Sequence, residues 1–406
     1  MAVDTPAKIA IIGAGPIGLE AALYARFLGY DVEIFGYMQL CGSVQRYRSL
    51  QMLTPFRQNS SSLALAALAM DENYRPPSPD AYLTYGEWFD QYLQPLSATD
   101  LIVDHIRLRT VVVQIGKVEL AKTDQPSGEY DRGNWDFRLY HQRIDACGAD
   151  GLSIADVVLD CGGLVPLPLG HGGIPAIREL RLLGASEPVL SGNNGQSVLV
   201  VGEDFTAAQV VLGLLERSPT ANVSWATRHE REDRATGPLL IAENDPLPQR
   251  RQILEAANAA AVSGRVNWLP GMWIEEVVKT EERIHVQFSG AQENTQEYDH
   301  IFNRTGYRPD WSLATELQLD LCPITDAPRP LANYLVQSPS PYLIDYPAPD
   351  AAAMITSEPN YYVLGAKSFG RRAGFLFEHG LRQIRDVFTI IGDRSTLDLY
   401  AQMAAK

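Results

Sequence analysis

The chain is poor in paired sulfur. Its 406 residues include four cysteines, Cys41, Cys147, Cys161 and Cys322, scattered without a Cys-x-x-Cys and without zinc-ligand spacing. A dithiol redox centre needs two neighbouring sulfurs that can close on each other, so that chemistry is excluded and free thiols are expected. Positive charge is also scarce: 34 Lys and Arg face 49 Asp and Glu, leaving −15. Nucleic acids and anionic membranes both demand basic residues, so neither is an expected partner. No stretch approaches the ~20 apolar residues of a membrane span. Met1 to Lys8 carries Asp4 and lacks a basic start, so no secretory signal is expected and the cytoplasm is the default location. The seven histidines form no metal spacing, and no low-complexity tract is present.

What is present suits a folded chain. An apolar fraction of 46% with 20% charge gives a sizeable core rather than disorder. At ~150 residues per domain, the length suggests two or three domains.

The first forty residues read as strand, turn, helix, strand. Lys8–Ile12 is a short apolar run, the mark of a buried parallel strand. Gly13-Ala14-Gly15-Pro16-Ile17-Gly18 follows, then Leu19–Leu28 without internal Gly or Pro, then Gly29 and the strand Asp31–Phe35. In such a turn the first glycine permits the bend and the second lets a pyrophosphate approach the backbone. The third lets helix and strand pack closely, and the anion rests on the helix N-terminus. An acidic residue is expected at the end of the second strand to hold a ribose. That position is Gly36; Glu33 comes two residues early and shares the face of Phe35, while Gly36 points to the other face.

Further along, Ser60-Ser61-Ser62 reads as a cap before a helix Leu63–Leu68. Tyr74–Asp80 reads as a loop, and Tyr85–Leu93 as a short helix. Strands are expected at Val111–Ile115, Trp135–Tyr140 and Ala155–Cys161. A second strand–turn–helix unit opens 189 residues after the first: strand Ser197–Val201, turn Gly202 to Ala208, helix Gln209–Glu216, strand Asn222–Thr227. Sheet segments follow at Ile284–Ser289 and Ile301–Gly306. Pro323–Pro349 holds seven prolines and reads as a long irregular connection. A strand Tyr361–Leu364, a glycine turn and a helix from about Phe375 to Ile391 close the chain.

In the second turn, Gly202-x-Asp204-x-x-Ala207 has an acid where the middle glycine belongs. Two readings stand. A nicotinamide dinucleotide still binds against Gly202 and Thr206, weakened by Asp204, with Arg228 (and Arg231, Arg234) meeting a 2′-phosphate. Alternatively Asp204 caps the helix and fills the anion seat with its own carboxylate, and Arg228 belongs to a solvated charged run.

Gly-Ala-Gly-Pro-Ile-Gly, the second cradle, Thr305-Gly306-Tyr307-Arg308-Pro309-Asp310 and Gly365-Ala366-Lys367-Ser368 form an ordered set. The set resembles the two-dinucleotide-binding-domain flavoproteins, the superfamily of thioredoxin reductases and flavin-containing monooxygenases. Leu53-Thr54-Pro55-Phe56, Gly172-Gly173-Ile174-Pro175-Ala176 and Leu364 to Arg371 are similar to a bacterial subgroup of FAD-dependent oxidoreductases without an assigned reaction. The resemblance implies an α/β fold of two Rossmann-like three-layer dinucleotide-binding domains, the second inserted in the first. Residues 1–165 and 306–406 would form the FAD domain and residues 166–305 the NAD(P)H-binding-like domain. FAD would lie on Gly13, Gly15, Pro16, Ile17, Gly18, Gly36, Gly365 and Lys367, and NADPH on Gly202, Thr206 and Arg228.

Departures narrow the activity. The monooxygenase stretch Phe-x-Gly-x-x-x-His is absent, and the reductases' closing Gly-Asp is Gly365-Ala366 here. Lys367 and Arg371 are candidates for a cation beside the flavin, where negative charge gathers on reduction. His171, in the glycine-rich crossover, is the acid–base candidate. Cys41 and Cys161 read either as flavin-proximal thiols or as small apolar fillers. Phe56, Tyr334, Tyr342 and Tyr346 read as walls of a substrate cleft or as packing. The expected function is an FAD-dependent oxidoreductase, reduced by NAD(P)H and serving a small-molecule substrate or O2. The alternatives are an NADPH-dependent flavin monooxygenase and a flavin-binding redox sensor with a degenerate nicotinamide site. The oligomeric state is not legible.

Overall fold

The computed structural model describes residues 3–405 except 126–130, 146–149, 165–166, 169–189, 231–233, 244, 246 and 338–348. The chain divides into two compact units, one of Met1–Leu164 with Pro309–Lys406 and one of Val165–Arg308.

The first unit is built on a five-stranded parallel sheet in the order Tyr361–Val363, Val157–Asp160, Lys8–Ile12, Asp31–Phe35, Ile106–Arg107. Its strands are apolar on both faces because both faces are covered. Ile9 and Ile11 point to a helical layer, where they pack with Leu19, Leu23, Ile384 and Phe388. Ala10 and Ile12, one residue out of phase, point to the opposite core with Val112, Ile115, Phe137 and Leu139. Those residues come from a three-stranded antiparallel sheet, Thr110–Lys117, Phe137–Arg143 and Asp150–Ala155. The result is three layers: helices, parallel sheet, antiparallel sheet.

The second unit repeats the plan. Asn267–Leu269, Asn222–Ala226, Ser197–Val201 and His300–Asn303 form a parallel sheet, and Met272–Lys279, Ile284–Gly290 and Asn294–Tyr298 an antiparallel one. Leu199, Val201 and Ile301 meet Ile274, Val286 and Phe288 between them. Among the described residues, the helices Phe205–Arg217 and Pro248–Val262 join these sheets.

The elements differ from the sequence reading in several places. The first helix runs Pro16–Phe27, starting three residues early, because proline's fixed φ and missing N–H suit a first turn. Tyr85–Leu93 is one α-turn, Tyr85–Trp88, followed by a wider π-turn, Phe89–Leu93. Pro95 just beyond has no N–H for the ladder and its ring crowds the carbonyl four residues back, which opens that turn. The proline-rich connection contains a helix, Arg329–Gln337, that buries Leu331, Ala332 and Leu335. Pro328 and Pro330 stand before or within its first turn, where proline is tolerated. The helix Pro248–Val262 and the strand Met272–Lys279 were not expected.

Candidate functional site

The first glycine turn has the geometry of a phosphate cradle. Gly13 has φ +104°, and any side chain there would strike the carbonyl of Cys161. A side chain at Gly18 would strike the carbonyl of Gly13. Gly15 differs: nothing lies within 4 Å of where its Cβ would stand, and its φ of −91° is open to any residue. Gly15 is the N-cap of the helix Pro16–Phe27, with no side-chain cap and no acid in the first turn. Among the described residues, the positive end of this twelve-residue helix is therefore neither capped by a side chain nor offset by an acid in its own first turn.

The ribose position is closed to a side chain. At Gly36 a Cβ would lie 2.8 Å from Leu108 Cδ2 and 3.0 Å from Ala14 Cβ. Glu33 is buried and spent on ion pairs, 3.0 Å from Lys8 and 2.6 Å from Arg107.

The closing turn, Gly365–Phe369, is tied down from two sides. On one, Gly365 N donates to Gln383 Oε1 (2.9 Å), Gln383 Nε2 to Ser368 Oγ (2.8 Å), and Ser368 Oγ to Gly365 O (2.7 Å). On the other, Lys367 Nζ donates to Asp160 Oδ2 at 2.6 Å and stands 4.5 Å above the Trp311 ring. Asp160 also accepts from Tyr361 OH (2.6 Å) and Gly162 N (3.0 Å). Lys367 and Asp160 are 2% and 0% exposed, so this charge is spent inside the fold. Arg371 is half-exposed and paired with Asp326 at 2.6 Å. Ile17 of the cradle helix packs against both Gly365 and Gly380, which brings the Gly13–Gly18 turn, the closing turn and the start of the helix Phe377–Ile391 together. At that start, Leu376 N donates to His379 Nδ1, and burial pushes the His379 pKa down to about 4.

The second cradle repeats the backbone and changes the charge. Gly202 has φ +136° and lies under the carbonyl of Arg304, as Gly13 lies under that of Cys161. Asp204 caps the helix Phe205–Arg217: its carboxylate accepts from Thr206 N (3.0 Å), Ala207 N (3.2 Å) and Thr206 Oγ1 (2.6 Å). Burial raises the Asp204 pKa, against those hydrogen bonds and the charge of Arg304. Arg228 is half-exposed, 3.6 Å from Glu203, which also holds His229 at 2.6 Å.

Other candidates scatter. Burial raises the thiol pKa values of Cys41 and Cys161, which disfavours both as nucleophiles. Cys41 N donates to Ala14 O (2.8 Å), which ties its loop to the cradle. Hydrogen bonds from Thr325 lower the Cys322 pKa. Phe56 is buried, edge-on to Tyr92, and serves packing. Tyr334 borders a small cavity with Leu335, Phe369 and His379. His171, Cys147, Arg231, Tyr342, Tyr346 and Gly172 to Ala176 lie outside the described residues. The reading of the sequence missed Asp160, Gln383 and Trp311; only the strand-end position of Asp160 before Gly162-Gly163 could have marked any of them.

No protein-family model matches the chain, and no curated protein does. Solved structures match over nearly its whole length. Bacillithiol disulfide reductase from Bacillus cereus superposes with a TM-score of 0.65 at 16% identity, covering 96% of this chain and 99% of that one. Thioredoxin reductase from T. acidophilum gives 0.56 at 15%, covering 96% and 98%. The ornithine N-hydroxylase of Kutzneria sp. 744 gives 0.61 at 14%, covering 96% and 100%. At such identities the likeness establishes the fold alone: two Rossmann-like three-layer units.

Proposed function

We propose that the chain is an FAD-dependent oxidoreductase that takes electrons from NAD(P)H and passes them to a small-molecule substrate or O2 without a redox-active dithiol. The observation that carries this reading is the open face at Gly15. Gly13 and Gly18 are demanded by backbone crowding, but neither backbone angle nor neighbour demands a glycine at 15. A ligand that must reach the backbone does, and an uncapped helix N-terminus selects a pyrophosphate.

In this reading the first unit holds FAD and the second is nicotinamide-binding in type. FAD, when bound, supplies the two-electron exchange between donor and acceptor. The chain's part is to bind and orient. Gly13, Gly15 and Gly18 seat the pyrophosphate, with Pro16 and Ile17 opening the helix. Gln383 and Ser368 fix the Gly365 turn beside it. Lys367, neutralised by Asp160, and Arg371, neutralised by Asp326, act as positioning residues for that turn. The ribose is left to backbone and water near Gly36.

The buried, high-pKa thiols of Cys41 and Cys161 favour an acceptor other than an enzyme dithiol. Bacillithiol disulfide reductase and ornithine N-hydroxylase share the fold, so reductase and monooxygenase outcomes are both compatible with it. One observation favours a second reading, a flavin-binding redox sensor: the Asp204 carboxylate occupies the anion seat of the second cradle.

The test is to carry that carboxylate into the first cradle. Gly15→Asp puts a self-capping acid where φ and space permit it. The apoprotein should keep its stability or gain a few tenths of a kcal/mol from the new cap, while FAD uptake disappears. Full FAD binding by this variant, or a colourless wild-type protein that takes up no FAD, overturns the reading. Anaerobic mixing with NADPH and NADH then separates enzyme from sensor: bleaching of the flavin band at a catalytic rate supports the enzyme.

A further inference from the structure

Glu20 stands in the helix Pro16–Phe27, beyond the N-cap Gly15 and the first turn, and its side chain is 0% exposed. We infer that Glu20 makes retention of FAD by the first unit sensitive to pH. Protonated, it leaves the cradle's helix dipole intact; ionised, it places a buried negative charge behind the pyrophosphate seat. The inference rests on the flavin reading of that cradle and adds its regulation.

The carboxyl sits in a closed cluster of neutral groups. Tyr92 OH donates to Oε1 at 2.5 Å and Ser61 Oγ to Oε2 at 2.8 Å. Each of these donors accepts a backbone N–H in turn, Tyr92 OH from Ser61 (3.0 Å) and Ser61 Oγ from Ala64 (2.9 Å). Both hydroxyl protons therefore point at the carboxyl, so the ionised form is hydrogen-bonded at both oxygens. What it lacks is a counter-charge: Glu20 has no ion-pair partner among the described residues.

The surrounding elements commit their charges elsewhere. On its own helix, Arg26 donates to Tyr30 O. The helix Ser62–Leu68 carries no charge, and Asp90, in the turn that holds Tyr92, pairs with Arg48. The helix Phe377–Ile391 has Glu378 in its first turn and Arg382 acting on His379; its Arg385 and Asp386, with Asp398, act on Tyr24. Tyr400 adds only a buried phenol. Glu33, with Lys8 and Arg107, alternates with Val32 and Ile34 and so belongs to the other face of the sheet.

Burial without a counter-charge disfavours the anion and raises the Glu20 pKa to about 7, so the charge appears near neutrality. At ~1.5 Å per residue Glu20 lies ~7.5 Å along the helix from Gly15, and its side chain leans back toward that end. A unit charge ~10 Å away, across an effective dielectric of ~20, weakens the binding of an anion about tenfold. It opposes the partial positive charge that the helix presents there. Linkage makes the effect reciprocal: a bound pyrophosphate keeps Glu20 protonated to higher pH. Affinity for FAD is therefore full below the Glu20 pKa and falls as pH rises through it.

The test is titration of the full-length apoprotein with FAD at low salt, from about pH 6 to about pH 9. The wild-type Kd should rise about tenfold across that range. Calorimetry at about pH 7.5, in two buffers of different ionisation enthalpy, should show uptake of about half a proton per FAD bound. Glu20→Gln should bind with one affinity throughout and take up no proton. Tyr92→Phe removes a donor to the anion and should move the loss of affinity to higher pH, which keeps the inference testable if Glu20→Gln does not fold. A constant wild-type affinity, proton uptake that survives Glu20→Gln, or an unmoved midpoint in Tyr92→Phe overturns the inference and leaves the flavin reading standing. No FAD uptake at any pH overturns the flavin reading itself, and this inference with it.

Discussion

Glu20 is a carboxyl group buried in the cradle helix, and replacing it with glutamine should stabilise the protein at pH 8 but not at pH 4. The side chain is 0% exposed and accepts from Tyr92 OH (2.5 Å) and Ser61 Oγ (2.8 Å). Burial outweighs those two bonds and raises its pKa from 4.5 to about 7. Between those values the unfolded chain has released the proton and the folded chain still holds it. Stability therefore falls as pH rises from 4.5 through 7, by ~1.4 kcal/mol per pH unit and about 3 kcal/mol in all. His379 has the opposite slope: its folded value of about 4 lies below its ordinary 6.5, so its contribution is lost as pH falls through that interval. The two largely cancel near pH 5–6, and the raw profile of the wild type conceals both. The assay is urea unfolding of wild type and Glu20→Gln across pH 4–8, read as the difference between them. Glutamine keeps an oxygen for Tyr92 and offers an N–H to Ser61, as the protonated acid must, so any cost of the amide is a constant offset. The difference should tilt toward the variant by about 3 kcal/mol between pH 4 and pH 8. A flat difference would refute the claim that this carboxyl is held protonated by burial.

Other perturbations test the two cradles and the closing turn. Asp204→Gly should strengthen NADPH binding while costing the helix only a few tenths of a kcal/mol of cap; unchanged or weaker binding in a fluorescence titration counts against a blocking carboxylate. Lys367→Gln leaves Asp160 buried without its counter-charge and should cost about 3–5 kcal/mol in chemical denaturation, with Lys367→Met/Asp160→Asn recovering most of it. If the double variant is no better than the single, the pair is not the coupled unit described. Gly18→Ala forces a methyl onto the Gly13 carbonyl and should destabilise the apoprotein itself, unlike Gly15→Asp; a neutral Gly18→Ala in thermal unfolding would contradict the close helix–strand packing.

What the sequence makes legible is what single residues must do locally. Gly13 and Gly202 need left-handed or crowded backbone, so their turns can be read one residue at a time. The strands Lys8–Ile12 and Ser197–Val201 are short apolar runs against those turns, and both are found where expected. What stays hidden depends on contacts far apart in the chain. Asp160 and Lys367 are 207 residues apart, and Asp160 and Tyr361 are 201 apart, so no local pattern announces the pair. Lys367 is visible as a cation in the right motif, but its partner decides that the cation is consumed. The proline-rich segment misleads for a related reason: proline excludes helix interiors but not first turns, and Pro328 and Pro330 sit where the helix Arg329–Gln337 begins.

The two cradles share a skeleton, so charge rather than shape separates them. Each first glycine is pinned beneath a carbonyl at the end of a neighbouring parallel strand, and each third position is small, Gly18 or Ala207. At the middle position one has empty space and the other a carboxylate already bonded to two backbone N–H groups. A pyrophosphate at the second turn must displace that carboxylate or share the dipole with it. Glu203 adds a second acid and engages Arg228, while Arg304 is the cation that acts on Asp204 itself. In the proposed function this makes the two sites respond oppositely to salt. Binding at the first turn is an attraction between an anion and a helix dipole, and screening weakens it. Binding at the second works against like charge, and screening relieves it. NADPH affinity should therefore rise, and FAD affinity fall, as salt is raised from 0.05 to about 0.3 M, where the screening length drops below ~8 Å. A parallel decline of both would mean that Arg228 and Arg304, not Asp204 and Glu203, set the field at the second turn.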